Sequence, residues 1–294
     1  MTSAVLSPEA PAAIARRRPQ AHPAYLIGAI SIGVIAIMGA PIVLSALASV
    51  KTAADASAAP PHYLPTALSF ENYAKVTRFQ AGLATYVGNS ALVAAIAIAA
   101  CLAIAAPAGY GLARFALRGK EVAFLVLLAP IMIPYQAILT PLYLDFAKVG
   151  LVNTHLGLAV VHTILQLPFS VFLMRSSFEA IPREIEEAAV IDGCSTWQRL
   201  TRVFLPLTIP GLVTVALFAF INSWNEFLAA LIFMNQDTSF TVPILLVSVR
   251  AGKFGAVDWG ALQASVIISI IPCLAVYLVL QRYYISGLLS GAVK

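Results

Sequence analysis

Asn222, Asn225 and Glu226 are three polar residues set close together in an otherwise apolar stretch. At i, i+3 and i+4 they project within one narrow arc if that stretch is helical. Two amides can exchange hydrogen bonds with hydroxyl groups, and a carboxylate can accept them or hold a helix end. Gln136, in another apolar stretch, offers the same chemistry and is a candidate neighbour. An ionisable group in such surroundings normally faces a bundle interior or water, which makes it a functional candidate by default. The plain alternative is interhelical packing, where a polar side chain contributes about 0.6–2 kcal/mol. Other chemistries have less support. His22, His62, His155 and His162 are scattered, and none falls in a ligand pair. His162 near Gln166 is too little for a nucleophile and base, and a lone membrane histidine is more often a helix–helix hydrogen bond. Cys101, Cys194 and Cys273 lie far apart, so neither a disulfide framework nor a metal spacing follows. Neither Gly119-Lys120 nor Gly252-Lys253 has the upstream glycine or following Ser/Thr of a phosphate loop, so the chain does not hydrolyse ATP alone.

The elements that must position these residues are membrane helices. Of 294 residues, 60% are hydrophobic and 11% charged, where a soluble chain would carry roughly a quarter charged. A helix needs about 20 apolar residues to cross a bilayer, and six stretches qualify: about 24–47, 88–112, 122–144, 155–175, 208–233 and 261–282. Pro41, Pro107, Pro130, Pro134, Pro168, Pro210 and Pro272 interrupt them. Such breaks suit a pathway or a moving part better than an anchor, because the freed backbone groups need neighbouring helices or lined cavities.

The net charge of +5 is not clustered on one segment, so it argues for orientation in a membrane and not for nucleic acid. With the N-terminus inside, the cytoplasmic segments hold Arg16–Arg18, Arg114, Arg118, Lys120, Arg175, Arg183, Arg199, Arg202, Arg282 and Lys294. The external ones hold only Lys51, Lys75, Arg78, Lys148, Arg250 and Lys253, half as many. Both termini are therefore expected in the cytoplasm. Residues 1–23 form a basic extension, and about 48–86 the longest external segment, where Asn89–Ser90 are expected to cap the next helix. A cleaved signal peptide is the rival for the first span, but its apolar run is too long for one.

Between the fourth and fifth spans, about 178–207, the chain is polar yet reads as two short helices. Pro182 suits a first helical position, and Glu184, Glu186 and Glu187 sit near the positive end of that helix. Ile185, Ala188 and Ala189 share one face. Gly193 can take the left-handed conformation that ends a helix, and Ser195 with Gln198 makes a capping box for the second. That helix sets Trp197, Leu200 and Phe204 on one side, and Pro206 ends it.

Glu187-Ala188-Ala189, three residues, Gly193, nine residues, then Val203-Phe204-Leu205-Pro206 resembles the EAA loop of ABC importer permeases, with Val203 where Ile is usual. Leu68-Ser-Phe-Glu71-Asn72-Tyr73, Val149-Gly150-Leu151-Val152-Asn153-Thr154, Leu167-Pro168-Phe169 and Ser223-Trp224-Asn225-Glu226-Phe227 are similar to stretches of sugar permeases of the maltose-transporter type. The tail, Gln281-Arg282-Tyr283 to Gly291-Ala292-Val293-Lys294, resembles the shorter permease of each pair. The likeness covers roughly residues 24–294.

The resemblance implies an all-α polytopic membrane protein with six transmembrane helices and a cytoplasmic two-helix coupling loop, in a bacterial cytoplasmic membrane. It implies as partners a second homologous permease, two ABC ATPase subunits and an extracytoplasmic solute-binding protein. ATP and Mg would sit on the ATPases, with no cofactor or metal on this chain. Glu187, Ala188, Ala189, Asp192, Gly193, Leu205 and Pro206 would be its ATPase-coupling residues. Two rivals fit the topology. A secondary transporter needs an ionisable pair for ion coupling, and Glu226 is the only acid deep in a span. An intramembrane hydrolase needs a nucleophile with a base or metal ligands. The neighbouring coding context discriminates among the three.

Overall fold

The computed structural model describes residues 21–251 and 257–292, with side chains over 25–250 and 257–281. Most of the 1–23 extension, Gly252, Lys253 and the side chains of the C-terminal tail lie outside these. Every regular element among the described residues is helical: α1 Ala21–Ser49, α2 Ala53–Ala56, α3 Glu71–Thr77, α4 Leu83–Arg114, α5 Lys120–Leu128, α6 Tyr135–Lys148 and α7 His155–Glu179. Beyond them come α8 Arg183–Ile191, α9 Thr196–Gln198, a π-helical segment Arg199–Phe204, α10 Leu205–Leu207, α11 Ile209–Asn225, α12 Leu228–Phe233, α13 Val242–Ala251 and α14 Trp259–Ala292. The chain divides into two units between Leu44 and Ser45. Within the first, α1 is apolar along its length, and its Ser31 hydroxyl bonds back to the Ile27 carbonyl at 2.8 Å.

By length and composition, Tyr25–Ser49, Leu83–Arg114, His155–Glu179 and Trp259–Gln281 can each cross a membrane. Two bent pairs raise the number to six if each pair is one span: Lys120–Met132 with Tyr135–Lys148 at 100°, and Thr196–Leu207 with Ile209–Asn225 at 78°. The expected third span, 122–144, is therefore not a straight helix. Pro134 has no N–H to continue the ladder, and its ring drives Ile133 into an extended conformation (φ −89°, ψ 129°). The expected fifth span, 208–233, also breaks: α11 stops at Asn225, Glu226 is extended (φ −72°, ψ 120°), and the helix resumes at Leu228.

The second unit is built on α4 packed along α7. The face α4 turns inward is Ser90, Ala94, Ala97, Cys101 and Ala105, small residues three or four apart that let two backbones approach closely. Gly109 marks the tightest point, since a Cβ there would stand 2.7 Å from Met174 Cβ. Aromatic and aliphatic side chains fill the space on either side: Phe146, Leu158 and Phe233 toward α6 and α12, and Tyr110, Phe178 and Phe204 toward the π segment. Asn89 and Ser90 do not cap α4, which begins two turns earlier after Gly82. Instead Asn89 donates to the carbonyls of Thr238 and Phe240, and Ser90 Oγ accepts the Val242 N–H at 2.8 Å. Tertiary packing extended the helix past its local start signal and used the polar pair to hold the connection into α13.

Candidate functional site

A cavity of about 930 Å³ opens where α6, α7 and α11 meet. Gln136, Asn222, Asn225 and Glu226 all line it. Two separate interruptions of helix place them there. The bend at Pro134 turns Tyr135 and Gln136, at the start of α6, toward the cavity. The end of α11 brings Asn222 and Asn225, and the extended residue after it brings Glu226. The i, i+3, i+4 arc expected for these three holds for the asparagines only, because Glu226 has left the helix. Its carboxylate accepts the N–H groups of Ala229 and Ala230 at 2.9 and 3.0 Å, so it occupies the positive end of α12. That contact is the physical reason for the break: the carboxylate caps the next helix.

Sequence reasoning did not select His162, Gln166, Ser223 or Tyr135, which line the same cavity. Asn222 Nδ2 donates to Gln166 Oε1 at 2.5 Å, and His162 Nδ1 shares a hydrogen bond with Ser223 Oγ at 2.8 Å. His162 therefore makes the helix–helix bond that its type suggests. Its other nitrogen stands 3.5 Å from Glu226 Oε2. His162 and Gln166 are i, i+4 on α7, a spacing visible in the sequence, but only the fold reveals that this face meets Asn222. Asn225 donates to the Ile221 carbonyl of its own helix at 2.8 Å. The cavity wall is thus largely apolar, with amides, an imidazole, hydroxyls and a carboxylate set into it. Such a surface can exchange hydrogen bonds with a neutral hydroxylated solute and stack an apolar sugar face on Phe169 or Phe218.

The second candidate region is the 178–207 loop. Helix α8 begins after Pro182, one residue later than expected, and ends as Gly193 takes φ +76°. Only glycine enters that region without strain. The Cys194 N–H then reaches back to the Ala189 carbonyl at 3.0 Å, closing the turn. Ser195 and Gln198 form the expected capping box, with Ser195 N–H to Gln198 Oε1 at 2.8 Å and Gln198 N–H to Ser195 Oγ at 3.3 Å. Ile185, Ala188 and Ala189 lie on α8 at the expected helical spacing, only Ala189 of them buried, while Glu186 turns to Arg199 at 3.1 Å. Two expectations fail. Trp197 is 69% exposed while Leu200 and Phe204 are buried, because the π segment shifts the phase between them. Pro206 lies within α10, and the bend comes at Thr208. Glu187, Ala188, Asp192, Gly193 and Pro206 are exposed, Leu205 half-buried.

The family of binding-protein-dependent transport system inner membrane components matches residues 105–289. The probable ABC transporter permease protein YurM of Bacillus subtilis is 36% identical over 79% of this chain and 76% of its own length. The diacetylchitobiose uptake system permease protein DasC of Streptomyces coelicolor is 33% identical over 83% of this chain and 87% of its own. A solved bacterial ABC transporter involved in the import of the acidic polysaccharide alginate has a chain of like fold. The two superpose with a TM-score of 0.78 at 22% identity, over 91% of this chain and 98% of that one. The chain is thus a multi-pass membrane protein belonging to the family of inner-membrane components of binding-protein-dependent transport systems.

Proposed function

We propose that this permease takes up a sugar or oligosaccharide handed over by an extracytoplasmic solute-binding protein, driven by ATP hydrolysed on separate subunits. The observation that carries this reading is the convergence of Gln136, Asn222, Asn225 and Glu226, from two distant stretches of chain, on one cavity. Amides suit hydroxyl-rich neutral solutes, and the relative named for diacetylchitobiose uptake has such a substrate. The permease has no ATPase activity of its own. A second homologous permease completes the pathway, and two ABC ATPases bind the cytoplasmic face and hold the ATP and Mg. Their docking element is the 178–207 loop: the exposed Glu187 offers charge to a basic cleft, Ala188 allows close approach, and Gly193 sets the turn. Both termini lie in the cytoplasm, the 1–23 extension included, and the segment after α1 faces outward.

The test is reconstitution with the partner permease, ATPase and binding protein from the same coding neighbourhood, after screening that binding protein against saccharides. Saccharide-stimulated ATP hydrolysis with uptake into vesicles is expected. Uptake driven by an ion gradient without ATP, or a binding protein that takes only non-carbohydrate ligands, would overturn the reading. A reporter fused after Lys294 should be cytoplasmic and one near Ser57 external.

A further inference from the structure

Arg114 closes α4, and its side chain is only 5% exposed. One nitrogen, Nη2, donates to the carbonyls of Phe178 and Ile181 at 2.5 and 2.6 Å, the end of α7 and the connection to α8. The other, Nη1, faces Glu186 of α8 at 3.8 Å, and Glu186 in turn accepts from Arg199 of the π segment. The guanidinium carbon stands 4.7 Å from the centre of the Phe204 ring, which packs on Tyr110 of α4 and Phe178 of α7. One cation therefore touches four elements. A basic residue capping carbonyls at a helix end is ordinary, but that role explains Phe178 and Ile181 and leaves Glu186 and Phe204 unaccounted for. Only a planar fork with fixed donors can meet two carbonyls, a carboxylate and a ring face together.

Resting on the ATPase-coupling reading, we propose that Arg114 is the positioning residue that ties α8 to α4 and α7, so that displacement of the loop moves the long helices as one body. Without it, the loop can still dock, but its motion is absorbed at the 180–182 connection. Arg175 makes a useful contrast: it pairs with Glu121 of α5 and with Glu179 of its own helix, each at 2.8 Å, through carboxylates 61% and 46% exposed, and it touches neither α8 nor the π segment. Exposed pairs of that kind contribute little.

The experiment uses the whole transporter in lipid nanodiscs and vesicles, with its partner permease, ATPases and binding protein. It reads ATPase co-purification, melting temperature, ATP hydrolysis and substrate moved per ATP. Arg114→Gln and Arg114→Lys are expected to keep co-purification, melting temperature and hydrolysis near wild type. Substrate moved per ATP should fall about tenfold, the scale of one lost charge-assisted hydrogen bond. Arg175→Gln should keep the wild-type ratio. An unchanged ratio in both Arg114 variants overturns the proposal, as does equal uncoupling in Arg175→Gln, which would assign the effect to charge alone. Loss of co-purification and melting temperature in step with transport also overturns it, by making Arg114 a packing residue. Wild-type complex lacking any stimulated hydrolysis would fail the coupling reading itself.

Discussion

In the cavity, polar groups hold one another incompletely: Asn222 engages one end of Gln166, and Gln166 Nε2 has no hydrogen-bond partner among the described residues. In the 178–207 loop the reverse holds, with each turn closed by its own residues, Gly193 through Cys194 and Ser195 through Gln198. Of the cavity's groups only Glu226 caps a helix, and His162 and Gln166 project from the middle of α7, whereas the loop's turn residues sit where helices are capped. A surface that must receive and release a solute needs donors to spare, because a fully paired group offers nothing to a ligand. A part that must pass on force needs none to spare, because any unsatisfied turn is a place to bend. The same residue types, amides and hydroxyls, thus do opposite work according to how completely the protein satisfies them.

The contrast breaks most sharply at Gly193. Gly193→Pro fixes φ near −65° where the turn needs +76° and removes the N–H donated to Val190. The protein should still reach the membrane, but ATPase attachment and stimulated hydrolysis should be lost almost completely, as read by co-purification. Normal coupling would mean the closed turn is not what matters. A smaller effect is expected in the cavity. Asn225→Leu removes a donor and Glu226→Gln removes a charge, and each should lower uptake roughly tenfold, the scale of one hydrogen bond to substrate. Assembly and melting temperature should barely move for Asn225→Leu. A fall in assembly proportionate to the fall in transport would instead make the patch interhelical glue.

The smallest effect probes a third, fully satisfied turn, in the segment after α1. Asp55 accepts the Thr66 N–H at 2.9 Å and pairs with His62 at 2.8 Å, and these, the Thr66 N–H foremost, hold its carboxyl below the ordinary 3.8. A carboxylate with a depressed folded value adds stability that is complete above 3.8 and is lost as pH falls through that folded value. Asp55→Asn should therefore flatten the melting-temperature profile in that acidic window and leave transport at neutral pH unchanged. An unaltered acid profile would remove the turn from the comparison.

Legibility in the sequence divides along the same line. The capping box and the left-handed Gly193 depend on residues within four positions of one another, so local chemistry suffices to find them. The prolines signal breaks, but the 100° bend at Pro134 depends on what α6 packs against. Asn89 and Ser90 mislead because a start signal inside an apolar run yields to burial of the turns before it. Glu226 is legible as an acid deep in an apolar stretch, whereas its departure from α11 requires the waiting N–H groups of α12. His162 and Gln166 carry the i, i+4 spacing in plain view, yet nothing in α7 alone says which helix they will meet.

The π segment between Arg199 and Phe204 acts as a phase setting. A π turn holds about one residue more than an α turn, so it inserts an angular offset into what would otherwise be one helix. Wound as an ordinary α-helix with no residue removed, the segment would turn its downstream residues by about 100°, the angle per residue of an α-helix. Phe204 would then swing out from between Tyr110 and Phe178, although no contact residue had been changed. The π turn thus takes up one residue between Gly193 and Pro206, so that the length of the loop and its winding are matched, and exchange of its exposed residues leaves that match intact.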